Sequence, residues 1–257
     1  MDVKPCVAVI GAGLIGRSWA IVFAGGGCDV ALYDSSAGVA ESARELVADG
    51  LGELAQQELI SDSEGAHGRV RVAMSLADAL DGATLVQENA PETIEAKRAI
   101  FAELDRLAGS DVILASSTSS IVASRFTENL DGRQRCLVAH PVNPPHLVPL
   151  VELVAAPWTA PATVTQAKAI YEAVGQVPIV VNREIEGFIL NRLQAVLLSE
   201  AFRLVENGYV TPQDLDKTLK DGLGLRWSSW GHSRPSSSMR PAASPITAAA
   251  TGRASPD

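Results

Sequence analysis

Short β-branched apolar runs alternate along the chain with longer stretches whose apolar positions recur at helical spacing. The run Val7 to Ile10 breaks at Gly11 and resumes after Gly13 as a helical pattern through Ala24. Asp29 to Asp34 reads as a second strand, followed by a helical stretch from about Ser36 to Ile60. Further strands are expected at 83–88, 111–115, 136–139, around 150–154 and at 177–181, with helices at 92–107 and 161–174. That alternation predicts an α/β, Rossmann-like, mostly parallel sheet with helices on both faces. After Asn182 the strand pattern stops. Residues 185–207 keep helical spacing, and Thr211-Pro212 supplies an N-cap with proline at the first position of a second helix, to about Leu219. The pattern therefore divides the chain into an α/β part at 1–183, the start of an all-helical C-terminal domain at 184–227, and a remainder at 228–257.

Composition narrows the partners. With 257 residues, 47% of them hydrophobic and 20% charged, the chain can bury one large core or two modest ones. A formal charge of -9 without clustered Lys or Arg argues against a nucleic-acid partner. Cys6, Cys28 and Cys136 are scattered, with no CxxC or His-Cys spacing, so no metal site and no disulfide framework are indicated, and a reducing cytoplasm is the expectation. The N-terminus lacks the pattern of a signal peptide, and no segment has the length and apolarity of a membrane span. No membrane partner is expected.

Strand, Gly11-Ala-Gly13-Leu14-Ile15-Gly16, then helix is the order a dinucleotide fingerprint requires. Gly11 makes the tight turn, Gly13 lets backbone approach a pyrophosphate, Gly16 lets helix pack on strand, and the phosphates sit on the helix N-terminus. Asp34 lies 18 positions after Gly16, at the end of the second strand, where a carboxylate accepts from the adenosine ribose hydroxyls. A 2'-phosphate would be repelled there, so the cofactor expected is NAD rather than NADP.

In open α/β sheets, ligands bind beyond the carboxyl ends of the strands. Ser116 to Ser120 follow one strand, and His140 closes another within Val138-Ala-His-Pro-Val-Asn-Pro-Pro-His-Leu-Val-Pro-Leu-Val-Glu152. Oxidising a secondary alcohol requires that the hydroxyl proton be taken as hydride leaves the carbon. A neutral His140 can take it, and a carboxylate at Glu152 can hold the ring's other N–H. Two neighbouring strands joined by the Pro-Pro turn would bring the pair together. Spacing alone leaves a capping or buried histidine equally open, whereas an acid between Val151 and Leu153 needs a partner to be buried. His146 reads as a turn residue and His67 as part of a polar loop.

Together with Ser119, Asn143 and the run Glu186-Gly-Phe-Ile-Leu-Asn191-Arg-Leu, these motifs resemble the 3-hydroxyacyl-CoA dehydrogenase family over residues 5 to about 227. The resemblance implies that His140 is the general base, that Glu152 pairs with it, and that Ser119 and Asn191 bond the substrate oxygens. It also implies that Glu92, Lys97 and Asn143 lie near the nicotinamide half of NAD, and that the protein is a homodimer. Asn191 alone would read as a polar residue between helices. Within the family, Ala139-His-Pro-Val-Asn-Pro-Pro and Gly222-Leu-Gly-Leu-Arg226-Trp resemble the branch that oxidises L-gulonate. CoA phosphates want cations, yet residues 35–52 offer only Arg44 among several acids. A small hydroxy acid needs one cation for its carboxylate, and Arg226 is the candidate, with a surface arginine as the alternative. The expected reaction is oxidation of the 3-hydroxyl of such an acid, with a 3-hydroxyacyl-CoA of fatty acid metabolism as the alternative substrate.

Beyond Trp227 the sequence departs from the family and becomes rich in Ser, Pro and Ala without periodicity, a composition expected to be disordered. Read one register over, its codons permit Gly-Pro-Phe-Glu-Thr-Ile-Glu-Leu-Asn-Ala, the wording with which the family continues. The expectation is a frameshifted tail on an apparently truncated helical domain, which leaves an inactive product or a non-catalytic NAD-binding module as further readings.

Overall fold

The computed structural model describes residues 5–229. In chain order its elements are β1 (Cys6–Ile10), α1 (Leu14–Gly25), β2 (Asp29–Tyr33), α2 (Val39–Gln56), α3 (Ser63–Gly68), β3 (Val70–Val72), α4 (Leu76–Leu80) and β4 (Leu85–Glu88). These are followed by α5 (Ile94–Leu107), β5 (Ile113–Ser116), α6 (Ser124–Thr127), β6 (Cys136–Pro141), β7 (Leu150–Ala155), α7 (Pro161–Ala173) and β8 (Val177–Val181). Helices α8 (Leu190–Glu206), α9 (Pro212–Lys217) and α10 (Leu225–Ser229) complete the described chain. The strands form one sheet ordered β3-β2-β1-β4-β5-β6-β7-β8. Every neighbouring pair is parallel except β6 and β7.

Burial explains why the central strands are continuous apolar runs. Parallel strands covered on both faces need no polar alternation, and Val7, Ala8 and Val9 of β1 are all fully buried. On one face Trp19 and Phe23 of α1 stack with ring centroids 5.3 Å apart and meet Tyr171 of α7 at 5.5 and 6.0 Å. On the other, Phe101 of α5 and Phe126 of α6 pack at 4.7 Å. Truncating any of these buried rings to Ala costs about 3–5 kcal/mol. Burial also pushes the Tyr171 hydroxyl pKa up, keeping it a neutral donor to Gln87 Oε1.

The helix expected over 36–60 is shorter and is followed by α3, with His67 on that helix rather than in a loop. Gly38, at φ 77, delays the start of α2 to Val39, and Glu58 at φ 58 closes the turn after Gln56. Asp62 then caps α3 by accepting from the Gly65 amide at 2.7 Å. The long helix expected from Ile185 begins only at Leu190, because Gly187 and Phe188 adopt φ 73 and 49 and turn the chain. Phe188 is fully buried, so its packing supports a left-handed backbone that side chains ordinarily disfavour. Thr211 caps α9 through the Asp214 amide at 3.2 Å. The helical path does not stop at Leu219 but widens into a π-helical turn over Thr218–Gly224 that leads into α10.

The chain forms one compact unit through Leu193 and a second from Gln194. The first contains the whole sheet. Residues 230–257, most of the tail singled out by composition and reading frame, lie outside the described residues. Among the described residues no helix is long and apolar enough to cross a membrane.

Candidate active site

The turn after β1 is built around two glycines that tolerate no side chain. Gly11 has φ +90, and a Cβ there would lie 2.9 Å from the Asn89 carbonyl oxygen; at Gly16 it would lie 1.8 Å from the Gly11 carbonyl oxygen. Helix α1 therefore packs directly on the turn. At Gly13 a Cβ would meet nothing within 4 Å, which is the open approach a pyrophosphate needs. Leu14 and Ile15 open the helix, Leu14 exposed and Ile15 half-buried, so their amides head a dipole suited to phosphate. Asp34, just beyond β2, accepts from the Ala12 amide at 2.8 Å through Oδ2 and from the Ser36 amide at 2.9 Å through Oδ1. Each oxygen keeps a further acceptor site for a ribose hydroxyl. Turn, helix start and acid fit NAD.

A buried ionic cluster sits where β4 ends. Glu88 is fully buried and receives Lys97 Nζ at 2.8 and 3.0 Å and Ser116 Oγ at 2.6 Å, together with the Ala90 amide. Lys97 also donates to the Ala90 carbonyl at 2.9 Å. An ammonium has three donors, and here protein oxygens surround it at 1% exposure. Lys97 thus ties α5 to β4. Glu92, half-exposed just before α5, receives the Ser119 and Ser120 amides at 2.9 and 3.2 Å and the Thr118 hydroxyl on Oε1. It fastens the serine-rich loop after β5 to the same corner.

His140 and Glu152 stand directly opposite one another on the antiparallel pair β6 and β7. Nδ1 of the imidazole lies 2.9 Å from Glu152 Oε2, with the histidine 5% exposed and the glutamate fully buried. Oε1 receives the amides of Ile189 and Leu190 at 2.8 and 3.1 Å. Burial pushes the Glu152 carboxyl up, but the His140 bond, the two amide bonds and the nearby imidazole outweigh it and hold the group below its ordinary value. An ionised Glu152 can only accept, so Nδ1 of neutral His140 carries the proton and Nε2 is left with the lone pair a base needs. The ring also packs on Phe188 at 5.2 Å.

The neighbouring Asn191 donates from Nδ2 to the Ser119 carbonyl at 2.9 Å. The stretch 189–191 therefore touches both the His140–Glu152 pair and the Ser119 loop. Ser119 is exposed, as is Asn143, which follows β6. Arg226 lies on α10 in the second unit. Sequence reasoning missed Glu88, although Gln87-Glu88-Asn89 at the end of an apolar strand is a readable polar signal. It also missed the Ile189 and Leu190 amides, which side-chain identity cannot reveal.

Comparison with known proteins places this geometry. The family model for the NAD-binding domain of 3-hydroxyacyl-CoA dehydrogenase matches residues 6–185, and the model for that enzyme's C-terminal domain matches residues 187–234. The chain belongs to the 3-hydroxyacyl-CoA dehydrogenase family. The lambda-crystallin homolog of Rattus norvegicus is 46% identical over 228 residues, covering 88% of this chain and 72% of the relative. L-carnitine dehydrogenase of Pseudomonas sp is 37% identical over 224 residues, covering 87% and 69%. Among solved structures, 3-hydroxybutyryl-CoA dehydrogenase from Escherichia coli K12 superposes with a TM-score of 0.79 at 30% identity, covering 87% of this chain and 47% of that one. As a member of this family the chain is an NAD-dependent dehydrogenase acting on a CH–OH group.

Proposed function

We propose that the chain oxidises the 3-hydroxyl of a small hydroxy acid of the L-gulonate type, with His140 as general base. The observation that carries the reading is the buried pair at 2.9 Å, which leaves Nε2 of His140 as the acceptor at the ligand-binding edge of the sheet. Nε2 takes the hydroxyl proton, and the Glu152 carboxylate stabilises the imidazolium that forms. Bound NAD supplies the acceptor of the hydride leaving the substrate carbon. The cofactor is held by Gly11, Gly13, Leu14, Ile15, Gly16 and Asp34, with Glu92, Lys97 and Asn143 toward the nicotinamide end. Lys97 acts through Glu88 and the Ala90 turn rather than by direct contact. Ser119 and Asn191 bond the substrate oxygens.

The small-acid substrate is supported by the scarcity of cations where a CoA phosphate would need them. Arg44 spends its Nε on the Val70 carbonyl at 2.7 Å. Likeness to lambda-crystallin homologs and to an L-carnitine dehydrogenase points the same way. Arg226 is the partner assigned to the substrate carboxylate, so Arg226→Met raises KM for L-gulonate roughly 10- to 150-fold, the loss of one charge-assisted hydrogen bond. A homodimer belongs to the same reading, supported by the exposed Val196 and Phe202 of α8. Initial rates of NADH formation on L-gulonate and on 3-hydroxybutyryl-CoA test the substrate. If kcat/KM for the thioester exceeds that for L-gulonate by about tenfold, roughly 1.4 kcal/mol of transition-state preference, the small-acid reading is overturned.

A further inference from the structure

A chain of side-chain hydrogen bonds runs from α7 to the turn after β1, and the proton transfer at His140 uses none of it. Tyr171 donates its hydroxyl to Gln87 Oε1. Gln87 Nε2 donates to Ser117 Oγ at 2.7 Å, and Trp19 Nε1 donates to the same oxygen at 2.9 Å. Ser117 in turn donates to Asn89 Oδ1 at 2.7 Å, and Asn89 Nδ2 donates to the carbonyls of Gln87 and Ile10 at 2.9 and 3.2 Å. Tyr171, Gln87 and Trp19 are fully buried, whereas Ser117 and Asn89 are half-buried, each just past the carboxyl end of its strand.

The last acceptors in the chain fix the direction of every bond before them. A carbonyl can only accept, so the Asn89 amide must turn Nδ2 toward Ile10 and Gln87 and Oδ1 toward Ser117. The single Ser117 proton is thereby committed to Asn89, and its lone pairs to Trp19 and Gln87. Gln87 Oε1 is left for Tyr171. One arrangement satisfies the whole chain.

Its far end is the cofactor turn. The Ile10 carbonyl also receives the Asn89 amide at 2.8 Å, and on the other side of the same peptide the Gly11 amide donates to the Tyr33 carbonyl at 2.8 Å. The Ile10–Gly11 peptide is therefore held at its oxygen by Asn89 and at its N–H by the end of β2, and the chain leaves it with Gly11 at φ +90. Asn89 Nδ2 would lie 3.4 Å from a Cβ at Gly16, and the Asn89 carbonyl oxygen 2.9 Å from one at Gly11, so this residue packs against both glycines. A turn fixed before its ligand arrives spares the ligand the cost of ordering it.

We infer that Asn89, oriented by Ser117, is a positioning residue for NAD: it presets the Ile10–Gly11 peptide, and with it the glycine turn, for the pyrophosphate. This role rests on the placement of NAD at the Gly11–Gly16 turn and owes nothing to the choice of hydroxy acid.

The test is calorimetric titration of the full chain with NAD, which separates affinity from the number of sites; a variant that is merely partly unfolded loses sites without a change in Kd. Asn89→Ala is expected to raise Kd for NAD roughly threefold to tenfold, the worth of one hydrogen bond, with the number of sites unchanged. Ser117→Ala is expected to do the same, but to add nothing in the Asn89→Ala background, because it acts through Asn89. Ser117→Thr, which keeps the hydroxyl, is expected to stay near wild type. Leu51→Ala, a truncation in the core under α2, is expected to lower the melting temperature and leave Kd alone. Unchanged Kd in both alanine variants, additive effects in the double variant, or an equal rise in Leu51→Ala overturns the role of Asn89. Asp34→Ser, titrated alongside, tells the two failures apart: if it weakens NAD and Asn89→Ala does not, the positioning role alone falls, and if neither weakens NAD, the placement of the cofactor falls with it.

Discussion

Replacing Glu152 by Gln isolates the charge of the pair while keeping its shape. One amide oxygen can still receive Ile189 and Leu190, at 2.8 and 3.1 Å in the wild type, but the group facing His140 Nδ1 becomes an N–H. Nδ1 must then accept, the imidazole proton moves to Nε2, and the base loses its lone pair toward the substrate. The imidazolium also loses its counter-charge. At the observed 2.9 Å and an effective dielectric of about 20, that attraction is worth roughly 6 kcal/mol. At 1.36 kcal/mol per decade, kcat falls by about four orders of magnitude as an upper figure. The assay is steady-state NADH formation, with NAD affinity measured by fluorescence quenching and folding by thermal unfolding. NAD affinity should stay near wild type, since neither the glycine turn nor Asp34 touches the pair, and thermal unfolding should remain cooperative, lowered only by the stability that the Glu152 charge contributes. A kcat within about tenfold of wild type, or NAD affinity falling in parallel with kcat, would refute the assignment of tautomer and charge to Glu152. The same substitution carries a pH signature. The Glu152 pKa is depressed in the folded chain, so its charge contributes stability above the ordinary carboxylate pKa, and that contribution disappears as pH falls through the depressed value. The wild type should therefore lose stability relative to Glu152→Gln only on the acid side of about pH 4.5.

The remaining predictions concern three other parts of the machinery. His140→Ala should abolish NADH formation while NAD still binds in calorimetry; retained turnover would remove His140 from the role of base. Asp34→Ser should weaken NAD by roughly 10- to 100-fold and raise the NADP-to-NAD ratio of kcat/KM, because it removes a charged acceptor for the ribose hydroxyls; an unchanged ratio would contradict its place in the cofactor site. Lys97→Met strands the fully buried Glu88 carboxylate and should cost about 3–5 kcal/mol of stability. A melting temperature unchanged in Lys97→Met would show that the cluster is not maintained as drawn.

Periodicity exposed the sheet because its strands are buried on both faces, so Val7 to Ile10 reads as one apolar run and cannot be confused with a surface helix. It failed where elements are too short to express a period. Val70–Val72 and Leu76–Leu80 have three and five residues, and both owe their form to neighbours: β3 pairs in register with Val30, Ala31 and Leu32, and Ser75 caps α4. The late start of α8 was hidden for a different reason. Nothing in Gly-Phe-Ile-Leu marks Phe188 for φ 49; that conformation follows from burying its ring against His140, a tertiary gain that outweighs local helix propensity.

The site divides along the same line between side-chain identity and backbone placement. His140 and Glu152 were legible because an acid within an apolar strand requires a partner, and an antiparallel hairpin pairs residues 12 apart when its loop is long enough. Ionising the carboxylate, however, depends on the amides of Ile189 and Leu190, which residue names do not disclose. Those amides reach Glu152 only because the chain turns at Gly187 and Phe188 before entering α8. Continuing a helix through 185–189, as periodicity suggested, would carry residues 189 and 190 into intrahelical bonds and withdraw two of the three donors that keep the carboxylate charged. The same turn sets Asn191 on the Ser119 carbonyl. A left-handed backbone at Phe188 is thus the local feature on which both the charge of Glu152 and the position of the Ser119 loop depend. A Phe188→Ala substitution, which keeps the glycine before it but removes the buried ring, should therefore depress kcat as well as stability.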